Sequence, residues 1–211
     1  MHPISRRTFV GAAASLPAAT AASAAAADFE HARTVSRIAF GSCAKGDKPQ
    51  PIWDAVLAAQ PDLFIFLGDN VYLDTRDPEV MRRKYAELAA QPGFQRLRAH
   101  VPILAIWDDH DFGENDAGRE YPMKEEARRQ FLEFFNEPAS SPRWSRDGIY
   151  TSYMYGPPGQ RAQIILPDLR WNRTPLNELE LGGQDYEAWA EARAHQGLSV
   201  PGGSQSCFSA R

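Results

Sequence analysis

Three short apolar runs, each ending in a polar turn, constrain this chain more than any other feature. Val35–Phe40 leads into Gly41-Ser42-Cys43, Leu63–Leu67 into Gly68-Asp69-Asn70, and Val101–Ile106 into Trp107-Asp108-Asp109-His110-Asp111. Runs of this length bounded by turn residues are strands, and a run apolar at every position is covered on both faces. That is the habit of a parallel sheet between helices. The intervening segments agree. Ile52, Ala55, Val56 and Ala59 recur at helical spacing after Pro51. Pro78 opens a helix to Ala90, a second follows Pro92 as far as His100, and a third spans about Met123–Asn136 with Phe131, Phe134 and Phe135 on its apolar side. Two further strands fit Ile149–Tyr155 and Gln163–Leu166. The order predicts an α/β fold, a layered sheet with flanking helices. Right-handed crossovers would bring the carboxyl ends of its strands, and so the three polar turns, to one edge.

The ends of the chain read differently. Ser5-Arg6-Arg7-Thr8-Phe9-Val10 is a twin-arginine pair, followed by an Ala-rich stretch and the small-residue run Ala24–Ala27. This marks residues 1–27 as an export leader for the twin-arginine machinery and predicts a periplasmic or secreted protein. The stretch is too short and too Ala-rich for a stable membrane span. Removing it takes two arginines from 23 basic residues set against 27 acidic ones. The remainder is net acidic, with basic residues scattered rather than clustered, so no nucleic-acid binding surface is evident. Cys43 and Cys207 are the only cysteines, too few for a disulfide-built scaffold, although they can pair once. The tail from Gly197 to Arg211 carries neither helical nor strand periodicity.

The strand ends hold the chemistry: Cys43, then Asp69 with Tyr72, then Asp109 with His110 and Asp111. Singly, each has an ordinary reading. Cys43 can be a small buried group, Tyr72 a loop anchor and His110 a hydrogen-bonded histidine. Their joint placement at strand ends is where a sheet protein builds its site, and one carboxylate, Asp69, can bridge two cations about 4 Å apart.

The motifs Gly41-Ser42-Cys43, Gly68-Asp69-Asn70-Val71-Tyr72 and Trp107-Asp108-Asp109-His110-Asp111, in this order and spacing, resemble the alkaline phosphatase D (PhoD-like) family of metallophosphoesterases. The similarity runs from about Arg37 to Leu176, taking in Phe112-Gly113-Glu114-Asn115-Asp116 and Asp168-Leu169-Arg170. The resemblance implies a metallophosphoesterase-like sheet in a domain over residues 28–182. It also implies hydrolysis of phosphate esters, monoester or diester, by metal-activated water. It places iron(III) on Cys43 and Tyr72, with Asp69 shared toward a second metal, usually calcium, to which Asp109 is a ligand. Thiolate and phenolate suit iron, and carboxylate oxygens suit calcium. His110 would face the phosphate, Asp111 would hold its tautomer through the other ring nitrogen, and Asp108 would lie behind the ligands. Asn115 is either a calcium ligand or a turn former, and Arg170 either grips phosphate or forms a surface ion pair.

Pro167 and Leu169 depart from the family pattern, and residues 183–211 lack the late Asp/His segment that completes its metal sphere. The C-terminus is therefore expected to be incomplete. The rival expectations are a truncated noncatalytic fragment and a secreted metal- or phosphate-binding module.

Overall fold

The computed structural model describes residues 33–175 and position 192. The expected leader over residues 1–27, Cys207 and the tail from Gly197 lie outside the described residues.

Strands β1 (Ile38–Gly41), β2 (Leu63–Phe66) and β3 (Ile103–Ala105) form a parallel sheet in the order β1-β2-β3. Helix α1 (Ile52–Ala58) crosses from β1 to β2, and α2 (Pro78–Ala90) and α3 (Pro92–His100) cross from β2 to β3. Both helices of the second crossover start from residues that favour a helix entrance. Asp77 accepts the backbone N–H of Glu79 at 2.8 Å, and Pro78 and Pro92 occupy first-turn positions where a missing N–H costs nothing. After β3 come a single-turn helix α4 (Asp109–Phe112), helix α5 (Lys124–Phe134), a 3-10 turn (Pro142–Trp144), and strands β4 (Thr151–Tyr155) and β5 (Ala162–Leu166). These last two strands make an antiparallel pair of their own rather than extending the parallel sheet.

The all-apolar β2 is buried at every position, as a central parallel strand must be. Phe64 and Phe66 lie 4.8 Å apart and both meet Trp53 of α1, and Phe66 also meets Phe94 of α3 and Phe135 after α5, in edge-on and tilted contacts with centroids 5.6–5.9 Å apart. A second aromatic group, Trp107, Phe112, Phe131 and Trp171, packs where β3 hands over to α4. Burying each large ring is worth about 1.5–3 kcal/mol, so these two groups anchor the strand ends that carry the polar turns.

Three local expectations need correction. Helix α1 buries Trp53, with Val56 and Leu57 half-buried, while Ile52, Ala55 and Ala59 are exposed. The helix is rolled because Trp53 fits the socket of Phe64, Phe66 and Phe94. Strand β1 starts at Ile38 rather than Val35, because the N–H groups of Ser36 and Arg37 are spent on the Asp62 carboxylate at 2.8 and 2.9 Å. Accepting those bonds lowers the Asp62 pKa to about 2. Strand β3 is only Ile103–Ala105, since the Val101 N–H closes the end of α3 on Leu97. Among the described residues, no helix is long and apolar enough to cross a membrane.

Candidate metal and phosphate site

Strand register sets the site. Gly41 pairs with Phe66 and Phe66 with Ala105, so the three carboxyl ends stop nearly level. The ladder continues into the turns: Leu67 donates to Gly41, Cys43 to Gly68, Ala44 to Asp69, and Ile106 to Phe66, at 2.9–3.2 Å. Parallel neighbours lie about 4.8 Å apart, so the first side chains beyond the ends reach one another. Gly68 permits this closeness. Its φ is +114°, and a Cβ there would sit 2.5 Å from Asp108 Cβ and 2.8 Å from the Asp108 nitrogen. Only glycine allows the β2 turn to pass so close to the β3 turn.

Asp69 lies at the centre, 7% exposed, in the left-handed region at φ 51°. Its Oδ2 faces the Cys43 thiol at 3.6 Å and the Tyr72 hydroxyl at 3.3 Å, both oriented as donors. Its Oδ1 is buried with no hydrogen-bond partner. Asp69, Asp109 and His110 each offer a ligand atom, all within 4.8 Å of one another. Burial and the nearby Asp109 carboxylate push the Asp69 carboxyl above its ordinary range. Burial, Asp69 and Cys43 likewise raise the Tyr72 phenol. Negative charge is thus gathered here beyond what the protein neutralises. An orphaned carboxylate oxygen beside carboxylate, imidazole, thiol and phenol donors is the donor set that a cation pair would satisfy. These residues could hold a metal ion.

Backbone conformation marks the same place. Six residues other than glycine have positive φ among those described, and four of them, Cys43, Asp69, Asp74 and Asp116, surround this cluster. Asp tolerates this region better than most residues; Cys43 does so at a conformational cost.

Arg170 is neither an open phosphate grip nor a surface ion pair. Its guanidinium is half-buried, pairing through Nε with Asp108 at 2.5 Å and through Nη2 with Asp109 at 3.5 Å, while Nη1 is buried without a partner. Burial alone would lower its pKa, but the Asp108 and Asp109 carboxylates hold it above the ordinary arginine value. The turn that delivers it is built by Asp168, which accepts N–H groups from Ile149, Arg170 and Trp171 at 2.8–3.0 Å. Pro167 follows the end of β5, so no bond within that strand is lost to it.

Asp111 does not hold His110. It is fully buried, and its two oxygens accept the backbone N–H groups of Asn70 at 2.7 Å and Asp108 at 2.6 Å. Asp111 is a clasp between the β2 and β3 turns rather than a group at the reaction centre. Burial pushes its carboxyl well above the carboxylate range, against the pull of those two N–H groups. His110 instead places Nδ1 2.7 Å from Asp74 Oδ1. Asn115 is exposed and builds the loop, its side-chain amide donating to Asp116 at 2.9 Å and its backbone N–H to Asp74 at 3.1 Å. Neither Asp74 nor the fully buried Asn70 stood out in the sequence. Asp74 sits in an Asp/Thr/Arg run that reads as an ordinary turn, and no spacing rule links it to His110.

The PhoD-like phosphatase family model matches residues 38–206, most of the chain. The chain belongs to the PhoD-like phosphatase family. Among solved structures it is similar to that of PhoD, with a TM-score of 0.58 and 17% sequence identity, over 75% of this chain and 36% of that one. At this identity the likeness speaks to the fold alone, and the chain spans about a third of the solved chain's length. No curated protein matches it. Asp69, Asp109 and His110 are placed so that they could hold a metal ion.

Proposed function

We propose that the protein is an exported, metal-dependent phosphoesterase whose site is the edge formed by the turns after β1, β2 and β3. One observation carries the reading: Asp69, with a buried unpartnered oxygen, stands within ligand distance of Asp109 and His110 and contacts both Cys43 and Tyr72. In this reading Cys43, Asp69 and Tyr72 hold iron, and Asp69 and Asp109 face calcium, in keeping with their donor types. Bound cations would supply the positive charge that polarises a phosphoryl group and acidifies water.

The chain's own groups do the rest. His110, with Nδ1 on Asp74, has Nε2 for taking a proton from water and, once protonated there, for donating to a phosphoryl oxygen or passing that proton to a departing alkoxide. Arg170 holds Asp108 and Asp109 in place and offsets their charge. The cluster of aromatic rings beneath the turns keeps these side chains on rigid strand ends.

The test is hydrolysis of bis(p-nitrophenyl) phosphate and p-nitrophenyl phosphate by the purified chain, with iron and calcium supplied and the metal content measured. Metal with turnover of either ester supports the reading. Metal without turnover would favour a binding module, and neither would favour a noncatalytic fragment. Export rests on Arg6 and Arg7. Replacing both with lysine is expected to leave the protein in the cytoplasmic fraction, and unchanged export would remove that part of the proposal.

A further inference from the structure

Resting on the reading above for the role of His110, we infer that Asp74 is the positioning residue of the site. It holds His110 as the Nδ1–H tautomer and so leaves Nε2 as the working ring nitrogen. The contact itself decides the proton's place. An ionised carboxylate only accepts hydrogen bonds, so the imidazole nitrogen 2.7 Å from Asp74 Oδ1 must carry the hydrogen. Asp111, the acid adjacent to His110 in sequence, is excluded from this role because both its oxygens are taken by backbone N–H groups.

Asp74 is itself held firmly. Its φ is 44°, and the same Oδ1 also accepts the backbone N–H of Asn115 at 3.1 Å. On either side, Leu73 donates to the His110 carbonyl and Thr75 to the Gly113 carbonyl, each at 3.1 Å. Arg76 grips Glu114 with two bonds of 2.8 and 3.0 Å, and the Tyr121 hydroxyl donates to Thr75 O at 2.5 Å. The Tyr72 ring lies against the imidazole with centroids 4.3 Å apart. Each of residues 72–76 is thus tied to the segment 110–115, and the carboxylate is presented to the ring by the protein's own contacts. Partners of this kind are what set ring orientation and basicity at metal and acid–base sites.

The experiment uses the full chain, uniformly 15N-labelled and metal-free, in long-range 1H–15N correlation spectra near pH 8. His110 is assigned by the signals missing from His110→Gln. Wild type is expected to show a protonated Nδ1 and a bare Nε2. In Asp74→Ala the majority form should switch to Nε2–H, with backbone signals outside residues 72–76 and 110–115 unchanged. Asp74→Asn keeps the side chain's size and its acceptor for Asn115. It is expected to show a mixture with more Nε2–H than wild type, which serves if the alanine variant does not fold. An Nε2–H tautomer in wild type, or a tautomer unchanged in both folded variants, overturns the inference. No metal, substrate or turnover enters this readout. An inactive chain with an Asp74-dependent tautomer would count against the phosphoesterase reading alone, whereas an active chain whose tautomer ignores Asp74 would count against Asp74 alone.

Discussion

Asp69→Asn is expected to lose binding of both metals while leaving the metal-free protein at least as stable as wild type. The affinity loss should exceed about 100-fold, because removing even outer-shell partners costs roughly 10- to 100-fold and Asp69 is the shared ligand. The stability effect follows from the direction of its titration. Burial and Asp109 raise the Asp69 carboxyl above 3.8 in the folded state, so the fold disfavours its charged form. The associated stabilisation is present below about pH 4 and is lost as the pH rises through the raised folded value. At neutral pH the ionised side chain therefore works against the metal-free fold, and asparagine removes that opposition. Asparagine also accepts the left-handed backbone that Asp69 adopts at φ 51°. Calorimetric titration with calcium and iron, beside thermal melts of the metal-free forms at pH 7 and pH 4, checks both halves. Wild-type metal affinity in the variant would remove Asp69 from the site. A variant much less stable than wild type at pH 7 would show that Asp69 is a structural group.

The largest stability effect is expected away from the metals, at Arg143. Only 2% exposed, it donates through Nε to Ile149 O at 2.9 Å, through Nη1 to Glu137 at 2.8 Å and through Nη2 to Ala105 O at 2.9 Å. The last bond matters for the site, because Ala105 ends β3 just before the Asp108–Asp109–His110 turn. Arg143→Met keeps most of the apolar stem but strands a nearly buried Glu137 carboxylate and two carbonyls. Breaking a buried pair by removing one partner typically costs about 3–5 kcal/mol, a large share of the roughly 5–15 kcal/mol that holds a domain folded. An exposed pair behaves differently. Arg129→Met, which removes the helix-surface bridges to Glu126 and Glu133, should cost no more than about 1 kcal/mol. Urea unfolding of the two variants beside wild type measures the contrast. Equal, small losses in both would mean that Arg143 is not the internal tie between β3 and the segment before β4.

The sequence by itself determined the architecture of the parallel sheet and the gathering of its polar strand ends at one edge. Apolar runs that end in polar turns are a local pattern, and parallel pairing of such runs leaves little choice about where the polar ends go, so Cys43, Asp69, Tyr72, Asp109 and His110 were legible together. What only the tertiary structure decided is which atom meets which. Asp111 and Asp74 are both acids within chain reach of His110. The partner became Asp74 because the one-turn helix α4 turns Asp111 inward onto two backbone N–H groups, while the left-handed backbone at Asp74 brings its carboxylate to the ring. Arg170 stood out in the sequence and Arg143 did not, yet only packing draws the first onto the Asp108 and Asp109 carboxylates and the second into the core. Periodicity fixes which face of an element is buried. The hydrogen bonds of a polar side chain depend on differences of an ångström or two between segments far apart in the chain, and those distances exist only after the layers have packed.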